Sequence, residues 1–181
     1  MLGRLEFKIH NSAEKKRLAR SLTKIRGDSR ESFAVTSVAA AYGHAQLMIL
    51  AQRGVSWAQA VVGTRMAMGI NGFEKREQAA LEWLCKAAAQ NYPPALSELS
   101  DLHRVGFKSL VRKSQEKANE LLLKSANLGF ALANSRLALC YIQGACGFEK
   151  NPDMAYFRAS VAFALDSKDE RAALILGSFS L

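Results

Sequence analysis

The chain has 181 residues, of which 49% are hydrophobic and 23% are charged, a balance typical of a folded protein rather than a disordered one. No apolar run approaches the roughly 20 residues that cross a bilayer, and the first residues lack the apolar core of a signal peptide. The net charge is +9, and the three cysteines form no CxxC pair, which favours free thiols in a reducing compartment. We therefore expect a cytoplasmic protein, with targeting to an organelle left open.

The basic charge is concentrated at the start of the chain. Residues 1–37 carry nine Lys or Arg and four Asp or Glu. Within them a helix is predicted from near Asn11 to Gly27. Its apolar face carries Leu18, Leu22 and Ile25. We expect this segment to cover the first exposed edge of a helical stack; the alternative is a basic amphipathic helix on an acidic partner or an anionic membrane.

Two nearly identical heptapeptides reveal an internal repeat. "GINGFEK" begins at Gly69, and "GACGFEK" begins at Gly144. Small and apolar residues follow each copy at the helical spacing i, i+4, i+7, and a third set lies halfway between them. The sets are Ala80, Leu84, Ala87; Ala118, Leu122, Ser125; and Ala155, Ala159, Ala162. The unit is therefore about 38 residues long.

A second helical series gives each unit two helices. An alanine recurs at steps of 37, 38 and 39 residues, and Val or Leu follows it by four residues. The pairs are Ala58 and Val62, Ala95 and Leu99, Ala133 and Leu137, and Ala172 and Leu176. The small residue allows a neighbouring helix to approach closely. Gly54, Asn91 and Gly129 precede the alanine by four residues, where a left-handed turn between units is expected.

The "GxxGFEK" stretch is interpreted as the loop between the two helices of a unit. Its glycines permit the chain reversal, and its Phe fills the gap between the helix ends. A phosphate-binding loop would follow a strand and end in GK[ST], and neither feature is present in the sequence.

These units resemble Sel-1-like repeats, which are relatives of the tetratricopeptide repeat. The segment "ALANSRLALCYIQGACGF" approaches the family pattern A-x-x-x-L-G-x-x-Y-x-x-G-x-G-V through Ala133, Leu137, Tyr141, Gly144 and Gly147. The segment "REQAALEWLCKAAAQN" approaches the part that follows through Ala80, Trp83, Lys86, Ala87 and Ala88. The third unit is degenerate, because Arg158 replaces the aromatic residue.

The resemblance implies an all-α fold, a right-handed α-α superhelix (solenoid) of antiparallel helix pairs. Residues 38–181 would form the repeat array, with about three helix pairs and a terminal helix, and residues 1–37 would form a separate basic helical segment.

The sequence offers few candidates for catalysis or metal binding. His10, His44 and His103 stand far apart, without carboxylates at metal-ligand spacing. Glu74 and Glu149 occupy equivalent loops in different units, so they are expected to lie too far apart to share a substrate. We expect no cofactor, no metal and no enzymatic activity.

The resemblance implies a binding function, a scaffold or adaptor that presents an elongated concave surface to another protein or peptide. In related solenoids the first helix of each unit lines the concave side. That face would be mixed polar with one large aromatic side chain. The predicted partner-binding residues are Trp57, Thr64, Ser97, Asp101, Arg104, Ser135, Leu139 and Gln143.

Two alternatives belong to other classes of protein. A small hydrolase of the cysteine-rich repeat type would need a catalytic constellation, which is missing from the sequence. A nucleic-acid binder would need basic and aromatic residues interleaved along the inner helices, whereas the basic excess lies in residues 1–37. No specific nucleic-acid partner is expected.

Overall fold

A computed structural model describes residues 43–179 and, within them, eight α-helices. The helices are α1 His44–Gln52, α2 Ser56–Met68, α3 Glu77–Ala89, α4 Pro93–Val105, α5 Gln115–Asn127, α6 Ala131–Gln143, α7 Pro152–Leu165 and α8 Glu170–Gly177. In this range the extended backbone is limited to one isolated bridge between Phe107 and Val111. The predicted basic helix of residues 1–37 lies outside the described residues and stays a prediction.

The helices pack as a stack of pairs. The closest packing joins α2 with α3, α4 with α5, and α6 with α7, and each pair touches the next through α3 and α4 or α5 and α6. Helix α1 packs on α2 in the place of a second helix, and α8 packs on α7 and α6 in the place of a first helix. The predicted all-α solenoid with two helices per unit is confirmed.

Small side chains bring the helices of the stack together. Ala58, Ala95, Ala133 and Ala172, which open the first helices, have no exposed surface. Gly63 of α2 is closer still to its neighbour, because a Cβ atom there would lie 2.9 Å from the carbonyl oxygen of Ala80 and from Cγ of Leu84. Close approach of this kind lets apolar contacts form between whole helix faces.

The two loops that contain "GxxGFEK" have the predicted form. Gly69 and Gly144 end α2 and α6 in the left-handed conformation, with φ of +70° and +63°. The side chain of Phe73 is buried against α1 and α2, as expected for a residue that fills the gap between helix ends. Three equivalent hydrogen bonds close the loops: the N–H of Arg76 donates to Met66, that of Ser114 to His103 and that of Asn151 to Tyr141.

The turns between units are also confirmed. Gly54, Asn91 and Gly129 all have positive φ, at +86°, +58° and +86°. Side-chain amides reinforce two of these turns, since Gln59 Nε2 donates to the carbonyl of Ala51 and Asn134 Nδ2 donates to that of Ala126. In these two turns the amide ties the start of one unit to the end of the unit before it.

None of the helices within residues 43–179 has the length and apolar character needed to cross a membrane.

Candidate functional site

The predicted partner-binding residues all lie on the first helices of their units, which form what we call the first-helix face, the surface of α2, α4 and α6. Arg104 and Gln143 are exposed on it. Four others are partly buried: Trp57, Thr64, Asp101 and Leu139. Ser97 and Ser135 are buried, so they pack beneath the face and add nothing to its accessible surface.

One contact between successive first helices recurs along this face. Thr64 Oγ1 of α2 lies 3.1 Å from Oε1 and 3.0 Å from Oε2 of Glu98 on α4. At the equivalent place one unit later, the guanidinium of Arg136 on α6 donates to both carboxylate oxygens of Asp101 on α4. A third unit makes the same contact with apolar side chains, where Leu139 of α6 packs in the cluster that holds Ile175 of α8. We call this series the inter-unit ladder.

The first contact of the inter-unit ladder contains a carboxyl group, that of Glu98, with a raised pKa. Burial raises the pKa of Glu98 to about 7, against the hydrogen bond from Thr64, and the nearby Asp101 raises it further. Thr64 Oγ1 also lies 3.0 Å from the carbonyl oxygen of Ala60. A hydroxyl carries one proton, so at any moment Thr64 donates either to Glu98 or to the carbonyl oxygen of Ala60.

The second step of the ladder is ionic. Burial alone would raise the pKa of Asp101, but hydrogen bonds from Arg136 and Arg104 outweigh it and hold the pKa below its ordinary value. Arg104 Nη2 lies 2.9 Å from Asp101 Oδ1, and Arg136 Nη1 lies 3.2 Å from the hydroxyl of Ser97. Two guanidinium groups thus surround one carboxylate, and Glu98 beside them is only partly ionised near pH 7. The centre of the first-helix face is therefore net positive.

Cys140 lies beneath this centre. Burial raises the pKa of its thiol to about 12, with Cys146 acting in the same direction, while Arg136 and Arg104 pull it down. All three cysteines are free thiols. A thiol that ionises so poorly is a weak nucleophile, so the positive centre does not by itself make Cys140 reactive.

Sequence reasoning missed the two residues that complete the ladder, Glu98 and Arg136. Each lies three positions after the alanine that opens its helix, Ala95 or Ala133. The two residues carry opposite charges at the same position of successive units, and this pattern could have indicated them from the sequence. Asp101 and Arg104 were predicted, and the structure places them with Arg136 in one cluster.

Metal and acid-base candidates do not assemble in the described residues. No group of three or more His, Cys, Asp or Glu side chains within residues 43–179 is placed to hold a metal ion. Glu74 is exposed and pairs with Arg76 of its own loop, and His44 stacks on Phe73 with ring centroids 4.1 Å apart.

Comparison with known proteins agrees with the helix pairs. The model of the Sel1 repeat matches residues 58–92, 93–130 and 131–157, which together are more than half of the chain. The chain belongs to the Sel1 repeat family. The first two matches cover the pairs α2 with α3 and α4 with α5. The third covers α6 and the start of α7, and it stops just before Arg158, the residue that makes the third unit degenerate.

Two solved structures show the same fold. A Sel1 repeat protein from Oxalobacter formigenes is 26% identical with a TM-score of 0.63, over 73% of this chain and 95% of that one. A protective antigen present in uropathogenic Escherichia coli strains, displaying an SLR fold, is 21% identical with a TM-score of 0.61, over 89% of this chain and 32% of that one. Sel1 repeat proteins are generally protein-interaction scaffolds.

Proposed function

We propose that this Sel1 array is a non-enzymatic scaffold that binds an acidic segment of a partner protein on its first-helix face, which we take to be concave. The observation that carries the proposal is the positive centre of that face, where Arg104 and Arg136 share the single carboxylate of Asp101. Guanidinium groups bind carboxylates through paired, charge-assisted hydrogen bonds. A second carboxylate, from a partner, would complete the cluster.

The shape of the site suits an extended peptide or loop. The predicted residues are spread over three successive first helices, from Trp57 on α2 to Gln143 on α6. The partly buried indole of Trp57 offers an apolar anchor at one end, and Arg104 at the middle is exposed. Interfaces of this kind depend on a few aromatic and Arg residues, with the remaining contacts supplying complementarity.

A peptide array tests this proposal without knowledge of the natural partner. Fluorescent peptides that carry Asp or Glu are compared with isosteric peptides that carry Asn or Gln, and their affinities are measured by anisotropy at two salt concentrations. We expect the acidic peptides to bind more tightly and to lose affinity with salt. Equal binding by both sets would contradict the proposal.

Two variants locate the binding site. Arg136→Gln should weaken the acidic peptides by about ten- to a hundredfold, the value of a charge-assisted hydrogen bond. Arg112→Gln removes the same charge from the exposed loop between α4 and α5 and should leave affinity unchanged. Circular dichroism confirms that both variants are folded. An equal loss in the two variants would mean that net charge, rather than the first-helix face, attracts the peptide.

A further inference from the structure

The thiols of Cys140 and Cys146 meet at the end of α6, where they share a side-chain hydrogen bond. Cys140 is buried in the last turn of the helix, and Cys146 is partly buried in the loop that follows. The third cysteine, Cys85, lies exposed on α3. The chain therefore combines a pair of adjacent thiols with a third thiol on another helix.

The backbone holds this pair in place. The N–H of Ala145 donates to the carbonyl oxygen of Cys140 at 2.9 Å, so the chain turns back over the last turn of α6. The carbonyl oxygen of the next residue, Cys146, accepts a hydrogen bond from Nδ2 of Asn119 on α5 at 2.7 Å. Because these bonds fix the backbone at or beside both cysteines, the contact between the thiols belongs to the folded loop rather than to freely moving side chains.

The equivalent loop of the first unit has no cysteine. Arg65 occupies the place of Cys140, and Asn71 occupies that of Cys146. Asn71 and Cys146 have the same left-handed backbone, with φ of +54° and +57°. Asn is one of the few residues that adopt this conformation readily, and Cys is not among them. Backbone geometry alone therefore favours Asn at position 146, and what distinguishes the cysteine is its contact with Cys140.

We propose that Cys140 and Cys146 form a thiol–disulfide exchange site, which a low-molecular-weight disulfide such as glutathione disulfide converts to an internal disulfide. The thiolate of Cys146 attacks one sulfur of glutathione disulfide and releases one glutathione thiolate, which takes up a proton. Cys140 then gives up its proton and attacks Sγ of Cys146, which releases the second glutathione. The two protein thiols lose two electrons and two protons, and glutathione disulfide gains them as two thiols.

The surroundings of Cys140 set the order of the two attacks. Burial raises the pKa of Cys140 to about 12, and Cys146 raises it in the same direction, so Cys140 does not attack first. The contribution of Cys146 is lost once that thiol is in a mixed disulfide. Arg136 and Arg104 still lower the pKa of Cys140, and they favour the thiolate that the second attack needs. A partly accessible cysteine beside a second, resolving cysteine is the usual arrangement at redox-responsive sites.

Peptide mapping of the full 181-residue chain tests the proposal. The folded protein is incubated with glutathione disulfide at about pH 8, quenched with acid and digested with trypsin. Cleavage after Arg136 and Lys150 leaves both cysteines in one peptide, residues 137–150. We expect this peptide to lose two hydrogen atoms without gaining glutathione, and dithiothreitol to reverse the change. Exposed Cys85 should gain glutathione, which shows that the reagent is active.

Two results of the peptide map would overturn the proposal. One is a peptide 137–150 that keeps both thiols free while Cys85 carries glutathione. The other is a peptide that retains glutathione on Cys146, which would mean that Cys140 does not carry out the second attack.

Cys146→Asn is the variant that removes the first thiol without changing the shape of the loop, because Asn71 occupies the same place in the first unit. The variant should fold, as circular dichroism would show, and its Cys140 should stay a free thiol under the same conditions. Cys85→Ser is the matched control, and it should form the internal disulfide at the wild-type rate. Loss of the disulfide in Cys85→Ser would show that Cys85 takes part in the exchange, and the proposal would then be wrong.

Cys140→Ala tests the second attack. Glutathione should remain on Cys146 in this variant, because no neighbouring thiol can displace it. Release of glutathione from Cys146 at the wild-type rate would contradict the assigned role of Cys140. Since Cys140 is buried, the folding of this variant is checked first, and the wild-type peptide map decides the proposal whether or not the variant folds.

Discussion

At the scale of single residues, the ionisation of Glu98 affects the net charge of the first-helix face. Its pKa of about 7 follows mainly from burial, which outweighs the hydrogen bond that Thr64 donates to it. The neighbouring Asp101 has the opposite behaviour, because Arg136 and Arg104 hold it ionised. Two carboxyl groups one turn apart on α4 thus differ in ionisation at neutral pH, because burial dominates at Glu98 and the two guanidinium groups dominate at Asp101.

The raised pKa of Glu98 makes stability depend on pH. Between pH 4.5, the ordinary pKa, and about 7, the unfolded chain has lost the proton that the folded chain retains, so stability falls as pH rises through this window. Glu98→Gln should remove this loss and make the protein more stable than the wild type at pH 8, by on the order of 1 to 3 kcal/mol. Urea unfolding at several pH values measures the effect.

Glu149→Gln is the control for this experiment, because Glu149 is exposed in the loop after α6. Its pH profile should follow that of the wild type. A Glu98→Gln profile that also follows the wild type would show that Glu98 does not retain its proton.

The three thiols should differ in reactivity although all are free. Alkylation of the native protein at pH 8 should modify Cys140 last, because burial raises the pKa of its thiol to about 12. Cys85 is exposed and Cys146 is partly buried, so both should react before it. Mass spectrometry of timed samples gives the order, and unfolding without reductant should yield three reactive thiols. A count of one would reveal a disulfide and contradict the predicted reducing compartment.

At the scale of the helix pair, matched side-chain volumes set the spacing. Gly63 of α2 faces Leu84 of α3, whereas the equivalent pair in the third unit is Ala138 and Ala159. A small residue on one helix is matched by a larger one on the other, and two alanines serve equally well. The sequence predicted the buried alanines because they recur in each unit. It did not predict which side chains pair, because that depends on where the two helices cross.

Gly63→Ala tests the fit between α2 and α3. The added methyl would approach the Ala80 carbonyl and Leu84 to 2.9 Å, so we expect a loss of about 1 to 3 kcal/mol despite the better helix propensity of alanine. In a Leu84→Ala background the same substitution should cost less, because the third unit tolerates two alanines. Thermal melts of the four proteins in this double-mutant cycle measure the coupling. Additive effects would show that the two side chains do not meet.

At the scale of the whole molecule, the sequence predicted the repeat unit and the turns and loops that divide it. The unit length, the turns at Gly54, Asn91 and Gly129 and the loops after Gly69 and Gly144 were predicted because each pattern returns in successive units. Contacts that join unlike residues in different units were not predicted. Arg136 meets Asp101 across 35 residues, a pairing that only the stacking of units determines.

Contacts between units also explain why some predicted partner-binding residues are not accessible. Helical periodicity placed Ser97 and Ser135 on the first-helix face, but both are buried, and Arg136 of the following unit contacts Ser97. It could not show that Leu174, at the same position of α8, would be exposed in the described residues. Burial in a repeat array depends on the neighbouring unit as well as on the residue's own helix.

The central claim is that an acidic segment binds to the first helices of successive Sel1 repeats, and chemical-shift mapping tests it most directly. The ¹⁵N-labelled protein is titrated with the tightest acidic peptide from the array. The account predicts amide shifts concentrated on α2, α4 and α6, around Glu98, Asp101 and Arg136. Shifts confined to the second helices α3, α5 and α7 would contradict it.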